Sequence, residues 1–405
     1  MTAILNGVKV VEVAAWTYVP MAGAVLAEWG AEVIKIEHPE TGDPQRGLVS
    51  SGLVPGGGGV NHMIEVPNRG KKSVGLDMAS PGGREVLLRL VAEADVFLTN
   101  FLPAVRRKLG IDVDDIRAAN PNIIYVRGSA NGQRGPEAER GGYDLATFWS
   151  RGGSADIATP PGQDYPFMQP GPAYGDVLGG LTLAGGVTAA LLHRDRTGEA
   201  LVVDNSLLAM GMWATGATLA GAGLFGIDRL PFSTHDQMPN PLVNYYRTKD
   251  DRYLLLNMLQ YDRFWPELVT AAGRPELADD PRFNTGKAMF EHRVECIEVL
   301  DDLFASRTLE EWKSALAHVK GVWAPVQRAS EILDDPQAKA NGYLVDVEAP
   351  DGSSFRLVPS PLQFNETPPT LTRAPEHGEH TDDVLQSLGL RMDEILELKV
   401  QGAVL

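Results

Sequence analysis

Cysteine is almost absent: Cys296 is the only one in 405 residues. That excludes an intramolecular disulfide and a cysteine-based zinc site, and it fits a reducing cytoplasm. No apolar run approaches the length expected of a bilayer-crossing segment. The first residues, MTAILNGVKV, lack a basic stretch followed by a long apolar one, so no secretory signal is expected. Positive charge is also scarce. With 36 Lys and Arg against 53 Asp and Glu, the formal net charge is −17. Such a balance argues against a nucleic-acid partner and against adsorption to an anionic membrane. The eight histidines show no H-x-x-x-H or H-E-x-x-H spacing, so no metal site is expected. The turn after the first strand has no G-x-G-x-x-G, and G-x-S-x-G, Walker A and kinase signatures are missing too, which leaves nicotinamide, hydrolase and NTP-driven chemistry without support.

What is present reads as alternating strands and helices. Val8–Ala14 (VKVVEVA), Ala31–Glu37 (AEVIKIE), Lys71–Asp77 (KKSVGLD), Asp95–Thr99, Ile123–Arg127 and Ala200–Ser206 are short β-branched or apolar runs expected to be strands. Helices are expected over Met21–Trp29, after Ser80-Pro81, and in a Met/Ala/Gly-rich run ending near Gly223. This alternation predicts an α/β, doubly wound, largely parallel Rossmann-like sheet, whose ligand lies beyond the strand carboxyl ends. Asn100, Phe101 and Arg127 fall there by position. Residues 39–70 read as loop, with Gly56–Gly59 a solvated connector. The turn-rich stretch 228–245 marks a domain boundary. Beyond it, helices are expected over Asp262–Ala272, Lys287–Ser306 and Thr308–Val319. Strands follow near Tyr343–Glu348 and Phe355–Leu357, and two short helices end the chain.

One stretch stands apart, Pro170–Arg194 (PGPAYGDVLGGLTLAGGVTAALLHR). Val177, Leu181, Ala184, Val187 and Leu191 recur at helical spacing and predict one buried stripe. Asp176 is then expected at the helix N-cap, beside free backbone N–H groups. Gly179, Gly180, Gly185 and Gly186 each cost about 0.5–1 kcal/mol of helix propensity relative to Ala, so close packing of a backbone or a ligand must offset them. On its own, Asp176 reads as a capping residue. Basic residues also cluster, at Lys35, Arg46, Arg69, Lys71 and Lys72 and again at Arg106, Arg107, Lys108 and Arg127. Such clusters are usually solvated faces; near strand carboxyl ends in an acidic chain they also suit the phosphates of a nucleotide-like ligand.

Taken together, GVKVVEVA, WGAEVIKIE, TGDPQRG, NRGKKSVGLD, ADVFLTNF, KLGID, NPNIIYV, GDVLGG, DDPRF and GEHTDDVLQSLGL run nearly end to end through the chain. They resemble the family III coenzyme A transferases, the CaiB/BaiF and formyl-CoA transferase-like group that also includes alpha-methylacyl-CoA racemase. The resemblance implies that Asp176, in the GD pair, is a nucleophile that passes through an acyl anhydride and an aspartyl-CoA thioester. It implies an ionised Asp176 helped by the helix field, and CoA contacts at His38, Leu76, Asp77, Met78, Asn100, Phe101, Lys108 and Arg127. The family usually has Arg where His38 stands and Lys where Arg127 stands. CoA or acyl-CoA is implied as substrate with no permanently bound cofactor, and a carboxylic acid as the second substrate. The resemblance further implies an interlocked homodimer in the cytoplasm, with no nucleic acid or membrane partner. The large domain would be formed by both chain ends, residues 1–225 and 326–405, with a smaller inserted α/β domain at 226–325.

Racemase members use a histidine in a G-H-D stretch, and here that stretch is Gly142-Tyr143-Asp144. A phenol of ordinary pKa is a poor base at neutral pH, which favours transfer over the racemase alternative. Tyr143 on its own also reads as a buried ring. Oxalate-specific members carry Gln near Thr17 and Glu near Asn131, and neither is present. The acceptor expected is therefore an acid larger or more apolar than oxalate, in a pocket lined by Trp16, Thr17 and Tyr18. A non-catalytic acyl-CoA-binding protein is the remaining alternative.

Overall fold

The computed structural model describes residues 3–53 and 59–405, so within the Gly56–Gly59 run residues 56–58 lie outside those described. Two compact units are present. One runs to Thr159 and resumes over Gln163–Asp228 and Pro336–Leu405; the other holds Pro160–Gly162 and Arg229–Asp335.

The first unit is built on six strands: β1 (Lys9–Val13), β2 (Glu32–Glu37), β3 (Lys72–Gly75), β4 (Val96–Thr99), β5 (Ile124–Ser129) and β6 (Val202–Ser206). They form one sheet in the order β3-β2-β1-β4-β5-β6, and every pairing is parallel. That is the doubly wound order whose switch point lies between β1 and β4. Because both faces are covered, the strands read as nearly continuous apolar runs rather than alternating ones. On one face Val10, Val33, Val96, Leu98 and Val126 meet α1 (Tyr18–Glu28). On the other, Val11, Ile34, Phe97 and Tyr125 meet α2 (Pro81–Ala92), which Ser80 caps by accepting from the Gly83 N–H at 3.1 Å. Two short helices follow β4, α3 (Pro103–Leu109) and α4 (Val113–Ala119). The stretch 39–70, expected to be loop, contains a helical segment at His62–Asn68.

The Asp176 stretch forms α5 (Tyr174–Thr197) and packs on α1. Its buried face keeps Ala184, Val187 and Leu191 of the predicted stripe but is shifted round the helix. Gly179 and Gly180 occupy it with Leu183, Ala184, Val187 and Leu191, whereas Val177 and Leu181 are only half-buried. A Cβ on Gly180 would stand 2.5 Å from Met21 Cβ and 2.9 Å from the Tyr18 carbonyl oxygen, so these glycines let the two helices approach closely. By length and composition alone α5 would be enough to cross a bilayer, contrary to the sequence expectation. The apolar run predicted to be one helix ending near Gly223 is two, α6 (Leu207–Ala214) and α7 (Gly216–Phe225), bent by 70°. Thr215 sits at the break, its hydroxyl within 3.1 Å of the Gly152 carbonyl and 3.0 Å of the Gly211 carbonyl.

In the second unit β7 (Val243–Arg247), β8 (Tyr253–Asn257) and β9 (Trp323–Pro325) form an antiparallel sheet. It packs with α8 (Tyr261–Ala271), α9 (Arg293–Phe304) and α10 (Leu309–Ala315) around Trp265, Phe283, Phe304 and Trp312. The helix predicted over Lys287–Ser306 is interrupted at His292, ahead of α9. Cys296 is buried in this core, and burial pushes its thiol up to about 12, which makes it unreactive. The chain then adds a hairpin of β10 (Val345–Glu348) and β11 (Ser354–Leu357), then α11 (Thr381–Ser387) and α12 (Met392–Val400) to the first unit. Its last residues lie beside β3: the Asp77 N–H donates to the Ala403 carbonyl at 2.9 Å and the Leu405 N–H to the Gly75 carbonyl at 3.1 Å.

Candidate active site

All five strands from β3 to β5 send their carboxyl ends into one cavity of about 850 Å³, a volume in the range of small-molecule and cofactor pockets. Ala14–Trp16 follow β1, Glu37 and His38 end β2, Leu76–Met78 follow β3, Asn100 and Phe101 follow β4, and Gly128–Ala130 close β5. Asp176 and Tyr143 complete the wall.

The loop after β1 is held from two sides. Asn100 accepts from the Ala15 N–H at 3.1 Å and donates back to the Ala15 carbonyl at 2.6 Å, which ties the loop across the β1–β4 switch point. From below, Asp43 accepts from the Trp16 N–H at 3.1 Å, and Lys35 donates to the Ala14 carbonyl at 2.8 Å. These two side chains belong to a buried ionic network. Lys35 Nζ is 2.9 Å from Asp43 and 3.3 Å from Glu12, and Lys71 Nζ is 2.7 Å from Glu12, all four side chains being sealed from solvent. Burial alone would push the Glu37 carboxyl up. The hydrogen bond from Arg46, the charge of Lys35 and the Ser73 hydroxyl outweigh it, so Glu37 stands at about 2. The result of this bracing is Trp16 at φ 67°, a left-handed conformation uncommon for a bulky residue. Strain of that kind persists only where surroundings over-determine it. Trp16 thereby meets Tyr143 edge to face at 5.6 Å.

Asp176 is not the N-cap of α5. Ala173, at φ 59°, occupies that position, and Asp176 stands in the first helical turn. Among the described residues its carboxyl accepts no hydrogen bond from a backbone N–H of that turn. The Gly175 N–H is taken instead by Asp144 at 3.3 Å. No side chain among the described residues hydrogen-bonds Asp176 or pairs with it. Burial, and secondarily the charge of Asp144, push its pKa up to about 8. The helix field was expected to keep it ionised; desolvation wins, and near neutral pH the free protein holds it mainly protonated.

Of the fourteen residues assigned to the site from the sequence, ten line this cavity, Asp176, His38, Leu76, Asp77, Met78, Asn100, Phe101, Trp16, Tyr18 and Tyr143, and Arg106 of the second basic cluster lines it too. The other four do not. Thr17 is buried behind it, donating to Gln45 Oε1 at 3.1 Å. Arg127 donates from Nε and Nη2, one edge of its guanidinium, to the two carboxylate oxygens of Asp204, at 2.7 and 2.9 Å. Asn131 accepts from Arg151 at 2.9 Å, and Lys108 is exposed on α3. Tyr143 is 61% exposed, not the buried ring its sequence context suggested. The basic clusters are largely internal ion pairs: Arg69 with Glu28, Lys72 with Glu32, Arg106 with Asp112, Arg107 with Glu139. Each acidic partner except Asp112 lies at least 30 residues away, so no local pattern exposes the pairing. Asp43, Pro103 and Arg140 line the cavity without having been singled out; Asp43 lies in the TGDPQRG segment, which was the available signal.

Residues 5–381 match the family model for CoA-transferase family III. The chain belongs to that family. Among relatives of this family III chain is an (R)-2-hydroxy-4-methylpentanoate CoA-transferase from Clostridioides difficile, 32% identical over 98% of each chain. Another is a cinnamoyl-CoA:phenyllactate CoA-transferase from Clostridium sporogenes, 32% identical over 98% of this chain and 96% of that one. The fold is similar to the crystal structure of a CaiB/BaiF family protein from Brucella suis, with a TM-score of 0.83 at 29% identity, covering 96% of this chain and all of that one. The family III chain is accordingly an enzyme of CoA transfer, with acyl-CoA as a substrate.

Proposed function

We propose that the enzyme moves CoA from an acyl-CoA to a carboxylic acid through covalent intermediates on Asp176. The observation that carries this reading is a lone carboxyl, unpaired and desolvated, in the wall of the cavity into which all five strands from β3 to β5 open. The ionised carboxylate adds to the thioester carbonyl carbon and expels CoA thiolate, leaving an acyl-aspartyl anhydride. Thiolate then adds to the aspartyl carbonyl and expels the first acid, leaving aspartyl-CoA. The acceptor carboxylate repeats these two steps in reverse, so thioester energy is conserved and Asp176 returns as carboxylate. Near pH 7 about a tenth of the free enzyme holds the reactive anion, given a pKa of about 8.

Acyl groups would meet the apolar part of the cavity lining, which includes Ala14, Ala15, Trp16, Tyr18, Ala130 and Ala146. The names of the two bacterial relatives specify 2-hydroxy acids with branched or aromatic side chains. Both observations support an acid of that apolar kind here, in preference to oxalate. CoA is placed against His38, Leu76, Asp77, Met78 and Phe101, with Asn100 acting chiefly as the tie on Ala15 and Lys108 supplying charge from α3. A homodimer belongs to the same reading: α7 buries none of its residues, and Trp213, Leu224 and Phe225 are 84, 82 and 70% exposed. An apolar face of this kind needs a cover, and a second copy supplies it. We place this dimer in the cytoplasm, where a single buried thiol is at home.

One test is mass spectrometry after incubation with a panel of acyl-CoA esters in deuterated water. A CoA or acyl adduct on the Asp176 peptide is expected, strongest with branched or aromatic 2-hydroxyacyl esters. A second reading, exchange of the proton alpha to the thioester, is favoured by one observation, since a group of pKa about 8 suits proton transfer at neutral pH. Deuterium at that carbon without an adduct would decide for it.

A further inference from the structure

The helix glycines and one orphaned hydroxyl point to a second catalytic group, on the premise that Asp176 is the nucleophile. Tyr18 opens α1 and is only 5% exposed, yet its phenol oxygen finds no hydrogen-bond partner. Buried hydroxyls are normally paired. The ring sits in a slot between glycines from two different elements. A Cβ on Gly128, in β5, would lie 2.9 Å from Tyr18 Cε1, and one on Gly179, in α5, would collide with Tyr18 Cε2. Neither glycine has a positive φ, so it is space, not backbone conformation, that requires glycine there: for the ring at Gly179, and for the ring together with Val19 Cγ2, with which such a Cβ would collide, at Gly128. Gly179 follows Asp176 by one helical turn on the same side, and Tyr18 and Asp176 line the same cavity. Burial first, then the charge of Asp176, push the phenol's pKa up, so it stays a neutral donor throughout the working pH range.

We propose that Tyr18 is a catalytic residue, its Oη–H donating to the oxygen that becomes negative on the Asp176 carbonyl. When thiolate adds to the anhydride, a C–S bond forms at Cγ and the carbonyl π pair moves onto that oxygen. The phenol hydrogen-bonds this oxyanion without giving up its proton. The pair then returns, the C–O bond to the first acid breaks, and aspartyl-CoA remains. The same donor serves when the acceptor carboxylate adds to aspartyl-CoA. A donor fixed by two glycines needs no reorganisation as the charge appears, and that is the condition under which such groups act most strongly.

The test is Tyr18→Phe, which keeps the ring in its slot. Loss of one oxyanion donor costs roughly 100- to 1,000-fold in kcat, and that loss is expected with KM for acyl-CoA unchanged. The variant should melt at the wild-type temperature or above it, because an unpaired buried hydroxyl has been removed. A purely structural Tyr18 would leave kcat alone. A kcat within threefold of wild type, in an enzyme whose Asp176 peptide carries the CoA adduct, would overturn the proposal and leave the nucleophile intact. An effect confined to KM would overturn it as well. Absence of any Asp176 adduct in the wild type would remove the premise itself. Gly179→Ala gives a second check: it displaces the ring while keeping the hydroxyl, and should lower kcat with CoA binding retained.

Discussion

Replacing Asp176 by Asn should abolish turnover and, at the same time, stabilise the protein in a pH-dependent way. The folded chain holds the Asp176 proton up to about pH 8, whereas an unfolded Asp releases it near 3.8. A raised folded pKa means that this group's favourable contribution is complete below about pH 4 and is lost progressively as pH rises toward 8. Each pH unit in that window costs about 1.4 kcal/mol, so the full span of about four units sets an upper bound of roughly 5–6 kcal/mol. Asp176 is partly exposed along the wall of a cavity open to water, and solvent screening brings the expected cost at pH 8 to roughly 2–4 kcal/mol. Asn carries no charge and escapes this term. Urea unfolding of the two proteins at pH 5 and pH 8 measures it. The variant should lead by only roughly 0.5–1 kcal/mol at pH 5, where about a quarter of the window has been crossed, and by roughly 2–4 kcal/mol at pH 8. A variant less stable at pH 8, or a difference that does not change with pH, would refute the claim that desolvation governs this carboxyl.

The same carboxyl shapes catalysis: kcat/KM should climb about tenfold between pH 6 and 7 and level off above about 8, and a flat profile from pH 6 to 8.5 would contradict it. Glu12→Gln leaves Lys35 and Lys71 without their shared carboxylate, so a loss of about 3–5 kcal/mol is expected by chemical denaturation. The α5 glycines should divide by position. Gly185→Ala meets nothing within 4 Å and should stabilise by about 0.5–1 kcal/mol. Gly180→Ala, facing Met21 at 2.5 Å, should destabilise by about 1–3 kcal/mol; thermal melts of the two variants make the comparison.

The sheet was legible because its signal is local. KVVEV, EVIKIE and IYVRGS are too short and too β-branched to be helices, and their spacing forces parallel crossovers. The cavity followed from that topology, since ligands gather at strand carboxyl ends. Breaks in helices were not legible: nothing in the run around Thr215 signals a bend, which arises when its hydroxyl meets the Gly152 carbonyl, 63 residues away. The cap position failed for a related reason. Asp176 has the right residue type, but Ala173, with no polar side chain, turns the chain into α5 through its backbone alone. Charge was the least legible feature. Lys35 and Lys71 read as ligand-facing cations, and only the fold brings Glu12 between them. Tyr18 reads as an apolar wall until Gly128 and Gly179, from separate elements, are seen to shape its slot.

The central claim, that Asp176 becomes bonded to both acids and to CoA in turn, is tested most directly with an acceptor carboxylate labelled with oxygen-18. If that carboxylate adds to aspartyl-CoA and its acyl carbon is then taken by thiolate, one labelled oxygen stays behind on Asp176. Peptide mass spectrometry after a single turnover should find one heavy oxygen in the Asp176 peptide and in no other. Formation of labelled acyl-CoA product with an unlabelled Asp176 peptide would contradict the account.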